Sequence, residues 1–144
     1  MPNAPYFAVY NVGDYTFASW KVIWAEQKEF CSAVVEAGTV PLIGRRSFVP
    51  DHKIFFVEFA DKDEAFFLCG ILNAPLVKEF IECHTISIQL GNIFKHMRVP
   101  SYDASNEEHT RLATACQKAH EASDDKHYLR LLSEMRELAE RILA

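Results

Sequence analysis

An α+β fold, with a mixed and mainly antiparallel sheet, packed helices and then C-terminal helices, is what the sequence predicts from three observations. The first sixty residues carry β-prone aromatic and branched runs separated by turn compositions. The apolar period changes from strand-like to helical at Asp61. The last twenty residues carry one apolar stripe at helical spacing.

In order along the chain, Tyr6-Phe7-Ala8-Val9-Tyr10 reads as a strand that stops at Asn11-Val12-Gly13-Asp14. Tyr15 to Trp24 resumes the strand pattern, and Phe30 to Val35 is another β-rich run. Pro41 to Arg46 reads as a loop. Lys53 to Phe59 is the strongest strand, and its nearly continuous apolar character predicts a central position covered on both faces. Asp61 then stands three residues before Glu64 in the form of a capping box, ahead of Ala65, Phe66, Leu68, Cys69 and Leu72 at helical spacing. Asn73 reads as a fresh cap for a second helix ending near Cys83, with Pro75 in its first turn. Thr85 to Leu90 alternates like a strand, Gly91-Asn92 turns it, and Val99-Pro100 closes the sheet-bearing part.

From Asn106 the chain reads as helix, broken at Ser123-Asp124-Asp125. Beyond the break Tyr128, Leu131, Leu132, Met135, Leu138, Ala139, Ile142 and Leu143 fall on one face. The organisation expected is an α+β part over 1–104 and a helical segment over 105–144, packed on it or on a partner.

At 144 residues and 49% hydrophobic content the chain can bury a core as a single compact unit. A net charge of −5 and a pI of about 5.6 exclude a uniformly basic surface, so any polyanion site must be a local field. Cys31, Cys69, Cys83 and Cys116 have no CxxC spacing and sit in apolar company, which predicts buried free thiols and a reducing cytoplasm. The opening Met-Pro-Asn-Ala-Pro-Tyr has neither a basic nor an apolar signal region, and no apolar run approaches the roughly 20 residues of a membrane span, so no membrane partner is expected.

Several chemistries lack their residues. Pro50-Asp51 before a strand would suit a Mg²⁺ nuclease only with an acidic-x-Lys following, and Val57-Glu58-Phe59-Ala60 supplies no lysine. There is no Gly-rich cofactor loop, no Asn-Pro-Pro-Tyr tetrapeptide for a flipped adenine, no GxxxxGK[ST] loop and no GxSxG elbow. The six histidines show no HExxH or zinc-finger spacing. No enzyme activity, metal or cofactor is therefore expected, and His109 is expected to help finish a helix N-terminus.

Three segments together carry a resemblance. They are Asn11 to Ala18 running into Lys21-Val22-Ile23-Trp24; Pro50 to Lys53 with Asp63-Glu64-Ala65 and Leu68 to Asn73; and Ile88-Gln89 with Val99 to Asp103, Asn106, His109 and Lys118 to Glu121. In order and spacing they resemble the C-terminal target-recognition domain of type II (IIG-like) N6-adenine DNA methyltransferase/restriction enzymes. The layout of the third is also similar to type I restriction specificity subunits. The chain departs from the pattern at Ala25, where a basic residue would follow the tryptophan. The resemblance implies sequence-specific recognition of double-stranded DNA, with the chemistry left to a methyltransferase or endonuclease region or subunit.

Such a module needs cations on loops for phosphates and polar side chains at turns for base edges. Lys21, Arg45, Arg46, Lys53, Lys95, His96 and Arg98 are the candidate cations, and Gln89 and Asn92 the candidate readers. Each alone is also what an ordinary solvated surface shows; Arg45-Arg46, with no adjacent acid, stands out. The competing reading is an interaction module that docks a catalytic subunit, or a second copy as a homodimer, through the Tyr128–Leu143 stripe.

Overall fold

The computed structural model describes residues 12–25, 29–51, 53–85 and 94–144. The architecture is α+β. A 3-10 turn at Asp14–Phe17 leads into β1 (Trp20–Ala25), followed by β2 (Ser32–Glu36), β3 (Gly38–Val40), β4 (Gly44–Arg46) and β5 (Ile54–Phe59). Four helices come after: α1 (Lys62–Leu72), α2 (Pro75–Thr85), α3 (Glu107–Glu121) and α4 (Asp125–Leu143). The strand expected at Tyr6–Tyr10, the turn at Gly91-Asn92 and, of the strand expected at Thr85–Leu90, all but Thr85 lie outside the described residues; Thr85 ends α2.

β1 is the middle of a three-stranded antiparallel sheet in the order β2-β1-β5. Trp24 pairs with Ser32 on one side and Phe55 on the other; Trp20 pairs with Glu36 and Phe59. Among the described residues β1, not Lys53–Phe59, is the strand with paired neighbours on both edges. Among the described residues β5 has one paired neighbour, and Val57 and Glu58 are exposed. A continuous apolar run shows that a strand is buried somewhere but not which strand has neighbours on both edges. The short link from β1 to β2 settles that here, by folding β2 back along β1.

Side chains alternate across β1. Trp20, Val22 and Trp24 face the helices, where Trp20 meets Phe66 at 6.2 Å between ring centroids and Trp24 stacks on Phe55 at 6.3 Å. On the other face Lys21 is only 1% exposed. Its Nζ donates to the Ala18 carbonyl at 2.7 Å and lies 6.0 Å from the Phe56 ring. Tyr15 to Phe17, expected as strand, is instead the 3-10 turn that brings this carbonyl over Lys21.

α1 begins where Asp61 caps it, accepting from the Glu64 N–H at 2.9 Å, and buries Ala65, Phe66, Phe67, Cys69, Ile71 and Leu72. α3 lies against α1 at close range: a Cβ on Gly70 would stand 2.9 Å from Cγ of Leu112. α4 covers the far side of α3 with Leu131, Met135, Leu138 and Ala139. Most of the expected C-terminal stripe is thus consumed inside the chain, with Ile142 and Leu143 partly buried against the same core, while Tyr128 and Leu132 remain exposed. The buried apolar residues form one cluster running from β1 through α1 and α3 to α4.

β3 and β4 form a hairpin where a loop was expected, pairing Gly38 with Arg46, Thr39 with Arg45 and Val40 with Gly44. Leu42 at φ 68° and Gly44 at φ 81° turn the chain. Gly44 takes that conformation freely, whereas the Cβ of Leu42 makes it cost roughly 1–3 kcal/mol.

Candidate functional site

Apart from Lys21, the candidate cations fall into two groups toward opposite ends of β1, while other exposed cations, among them Arg111, Lys118, Arg130 and Arg136, lie on the helices. The hairpin follows β2 beyond Glu36, the partner of Trp20, and its foot is tied down by Ser47 Oγ donating to the Phe17 carbonyl at 3.1 Å. Arg45 and Arg46 are both exposed on β4. Neighbouring residues of a strand point to opposite faces, so the two guanidinium groups flank the ribbon; that of Arg46 also donates to the Arg45 carbonyl at 2.8 Å.

The second group sits at the Trp24 end. Phe94 packs on Trp24 at 4.7 Å between centroids, and Met97 and Val99 also lean on the core. Lys95, His96 and Arg98 alternate with these anchors and are turned out to solvent. Exposed Lys53 immediately precedes Ile54, the partner of Ala25, and so belongs to this end. At about 3.3 Å per residue the six residues of β1 span roughly 17 Å between their end Cα atoms. Gln89 and Asn92 lie outside the described residues. Lys21 drops out of the candidate surface: burial lowers its pKa, the cross-strand carboxylate of Glu58 opposing, and its ammonium group is spent on the Ala18 carbonyl.

A second place with polar chemistry is a cavity of about 670 Å³ between the start of β2, the α1–α2 joint, α3 and α4. Ser32, Asn73, Cys116 and His120 line it with apolar Tyr128, Leu132 and Met135. The side chains of Ser32, Asn73 and His120 hydrogen-bond to backbone partners. Asn73 was expected to cap α2; instead its Oδ1 accepts from the Ser32 N–H at 3.1 Å while its Nδ2 donates to the Ser32 and Cys69 carbonyls at 2.8 and 3.0 Å. His120 Nε2 accepts from the Val34 N–H at 3.0 Å, and its Nδ1 lies 2.8 Å from the Cys116 carbonyl. A neutral ring with its proton on Nδ1 satisfies both contacts, leaving no lone pair to activate Cys116. The Cys69 thiol beside it, together with burial, pushes the Cys116 thiol up, so it stays protonated. The arrangement splices β2 to α1 and α3; within it the hydrogen bond from Cys116 lowers the pKa of the Cys69 thiol against the effect of burial, and the hydrogen bond to Cys69 raises that of the His120 imidazole.

The four thiols are all free. Cys69 and Cys116 are buried as expected, but Cys31 and Cys83 are exposed: Phe30 takes the inward place beside Cys31, and Cys83 lies on α2 between exposed Glu82 and His84. Among the described residues no group of three His, Cys, Asp or Glu side chains is placed to hold a metal, and no helix is long and apolar enough to cross a membrane. His109 is buried against Phe67, with ring centroids 4.5 Å apart, and its Nδ1 accepts from the Asp103 N–H at 3.1 Å. It ties down the turn before α3, whose N-cap Asn106 accepts from the Glu108 N–H.

No family model matches the chain, and no solved structure matches it. Over 79 residues, 54% of its length, the chain is 29% identical to the Type II methyltransferase M.NspV of Nostoc sp.. That stretch covers 15% of the Nostoc protein, so the chain spans only a small fraction of the relative it matches. Over about half its length, then, this chain is similar to a small part of a type II methyltransferase.

Proposed function

We propose that the chain is a target-recognition module of a restriction–modification system, which binds double-stranded DNA and does no chemistry by itself. One observation carries the reading. The part shared with the type II methyltransferase contains neither a Gly-rich cofactor loop nor an Asn-Pro-Pro-Tyr tetrapeptide, since this chain has none, so what is shared is not those catalytic motifs. The two groups of candidate cations, toward opposite ends of β1, support the reading because a duplex offers phosphates on both walls of a groove about 12 Å wide. Arg45 and Arg46 reach one wall, and Lys53, Lys95, His96 and Arg98 the other. A methyltransferase or endonuclease region, in the same polypeptide or in another subunit, supplies catalysis.

The test is a binding titration of the chain on duplex DNA at several salt concentrations. Non-specific affinity is expected at about 10⁻⁴–10⁻⁶ M near physiological salt. Replacing Arg45 and Arg46 together by Ala should flatten the slope of log K against log salt by about two, one per phosphate contact. Lys21→Met should leave that slope where it is. An unchanged slope in the arginine variant removes the hairpin from the interface, and no salt-dependent binding at all removes the reading. A second reading, docking of a protein partner through α4, is favoured by the exposure of Tyr128, Leu129 and Leu132 along one side of that helix; a mass that rises with concentration would support it.

A further inference from the structure

The tip of the β3–β4 hairpin presents Pro41, Leu42 and Ile43 to solvent, with Leu42 fully exposed and Ile43 55% exposed. Single exposed apolar residues are ordinary, but three in succession at a turn are not what a solvated loop needs. Leu42 moreover occupies a left-handed conformation, φ 68°, that Gly or Asn would fill without strain. The turn therefore keeps the leucine side chain outward against both solvation and backbone preference. Behind the tip the ribbon is bare, since a Cβ at Gly38 or Gly44 would have nothing within 4 Å. From Ala37 to Pro50 its only charges are Arg45 and Arg46, on a molecule of net charge −5.

We propose that this hairpin is a DNA wedge. Arg45 and Arg46 hold phosphates on either side of the ribbon, and Leu42 with Ile43 enters between adjacent base pairs and unstacks them. The proposal rests on the DNA-recognition reading and goes beyond it in assigning the apolar tip a ligand, the faces of stacked bases. Apolar side chains inserted at a base step kink and unwind a duplex, and a slim ribbon carrying its own cations is short enough to reach the step. The acid-free arginine pair favours a polyanion over the apolar surface of a protein partner as the occupant.

Unwinding can be read without knowing the recognised sequence. A plasmid relaxed by a type I topoisomerase at low salt in the presence of the chain, then stripped of protein, should become negatively supercoiled in proportion to the protein bound. Binding to a linear fragment of the same plasmid fixes the saturating concentration of each protein. At saturation Leu42→Asn combined with Ile43→Ser should lose most of the linking-number shift, and unchanged circular dichroism would show that the variant is folded. The wedge is overturned if the saturating native chain leaves the linking number unchanged, or if the tip variant shifts it equally. It is also overturned if the variant cannot be brought to bind at any concentration, because phosphate holding would then not belong to the arginines. Binding to phosphatidylglycerol vesicles without a topoisomer shift would assign the tip to a lipid surface instead. Absence of any DNA binding would remove the recognition reading together with the wedge, whereas binding without unwinding removes the wedge alone.

Discussion

Side-chain commitments separate residues that look alike in sequence. Lys21 and Lys53 are both lysines at the start of a β-run, yet one is buried on the Ala18 carbonyl and the other is exposed. The four cysteines divide in the same way, and the division is measurable. Under native conditions a thiol reagent should modify Cys31 and Cys83 quickly, while Cys69 and Cys116 should react only after unfolding, since each is 0% exposed. Peptide mapping after a short native pulse checks this, and early label on Cys69 would mean that the β2–α1 splice opens readily. Buried and exposed cysteines were not distinguishable from their neighbours in sequence. Phe30-Cys31 and Leu68-Cys69 look alike, but Phe30 fills the pocket beside Trp24 and leaves Cys31 outside.

At the scale of elements, contact between helices outweighs charge. Gly70 lets α1 and α3 approach until Leu112 fills the space a methyl group would take. Gly70→Ala gains up to about 1 kcal/mol in helix propensity, but pushes on a fully buried leucine, and overpacking of that kind costs about 1–3 kcal/mol. The expected net is a loss of up to about 2 kcal/mol, read as a fall in Tm. The α3–α4 interface offers a sharper contrast. Leu138, 1% exposed, should cost about 2–5 kcal/mol on replacement by Ala. Arg141 reaches Glu108 across the same interface at 2.7 Å, but both side chains are about half exposed, so Arg141→Ala should cost less than about 1 kcal/mol. Chemical denaturation of the two variants measures the difference; comparable losses would mean that the rim ion pairs carry the helix. The helices themselves were legible in sequence, because Asp61, Asn106 and Asp124 are caps whose side chains do accept the first backbone N–H groups. The hairpin was not, because three-residue strands carry no periodicity and Leu42 gives no hint of a positive φ.

For the whole molecule, one apolar cluster joins the sheet to the last helix, so the chain should unfold as one unit. Fluorescence of Trp20 and Trp24 reports the sheet, and ellipticity at the helical band reports α1 to α4; with a shared core the two transitions should coincide. A helical signal that melts away before or after the tryptophans would show residues 105–144 to be a separate unit. The sequence by itself determined the fold class, the four helices with the caps of three of them and the lack of familiar catalytic motifs, because periodicity and capping are local and a motif either is or is not spelled out. Only the tertiary structure decided that, among the described strands, β1 has neighbours on both edges, that Lys21 is buried, and that Arg45 and Arg46 lie toward one end of β1 and Lys53, Lys95, His96 and Arg98 toward the other. It also turned Pro41–Ile43 into an exposed apolar tip. Those outcomes depend on which edges pair and which faces meet across long stretches of chain, and the energy of burial that selects among them is shared by residues far apart in sequence.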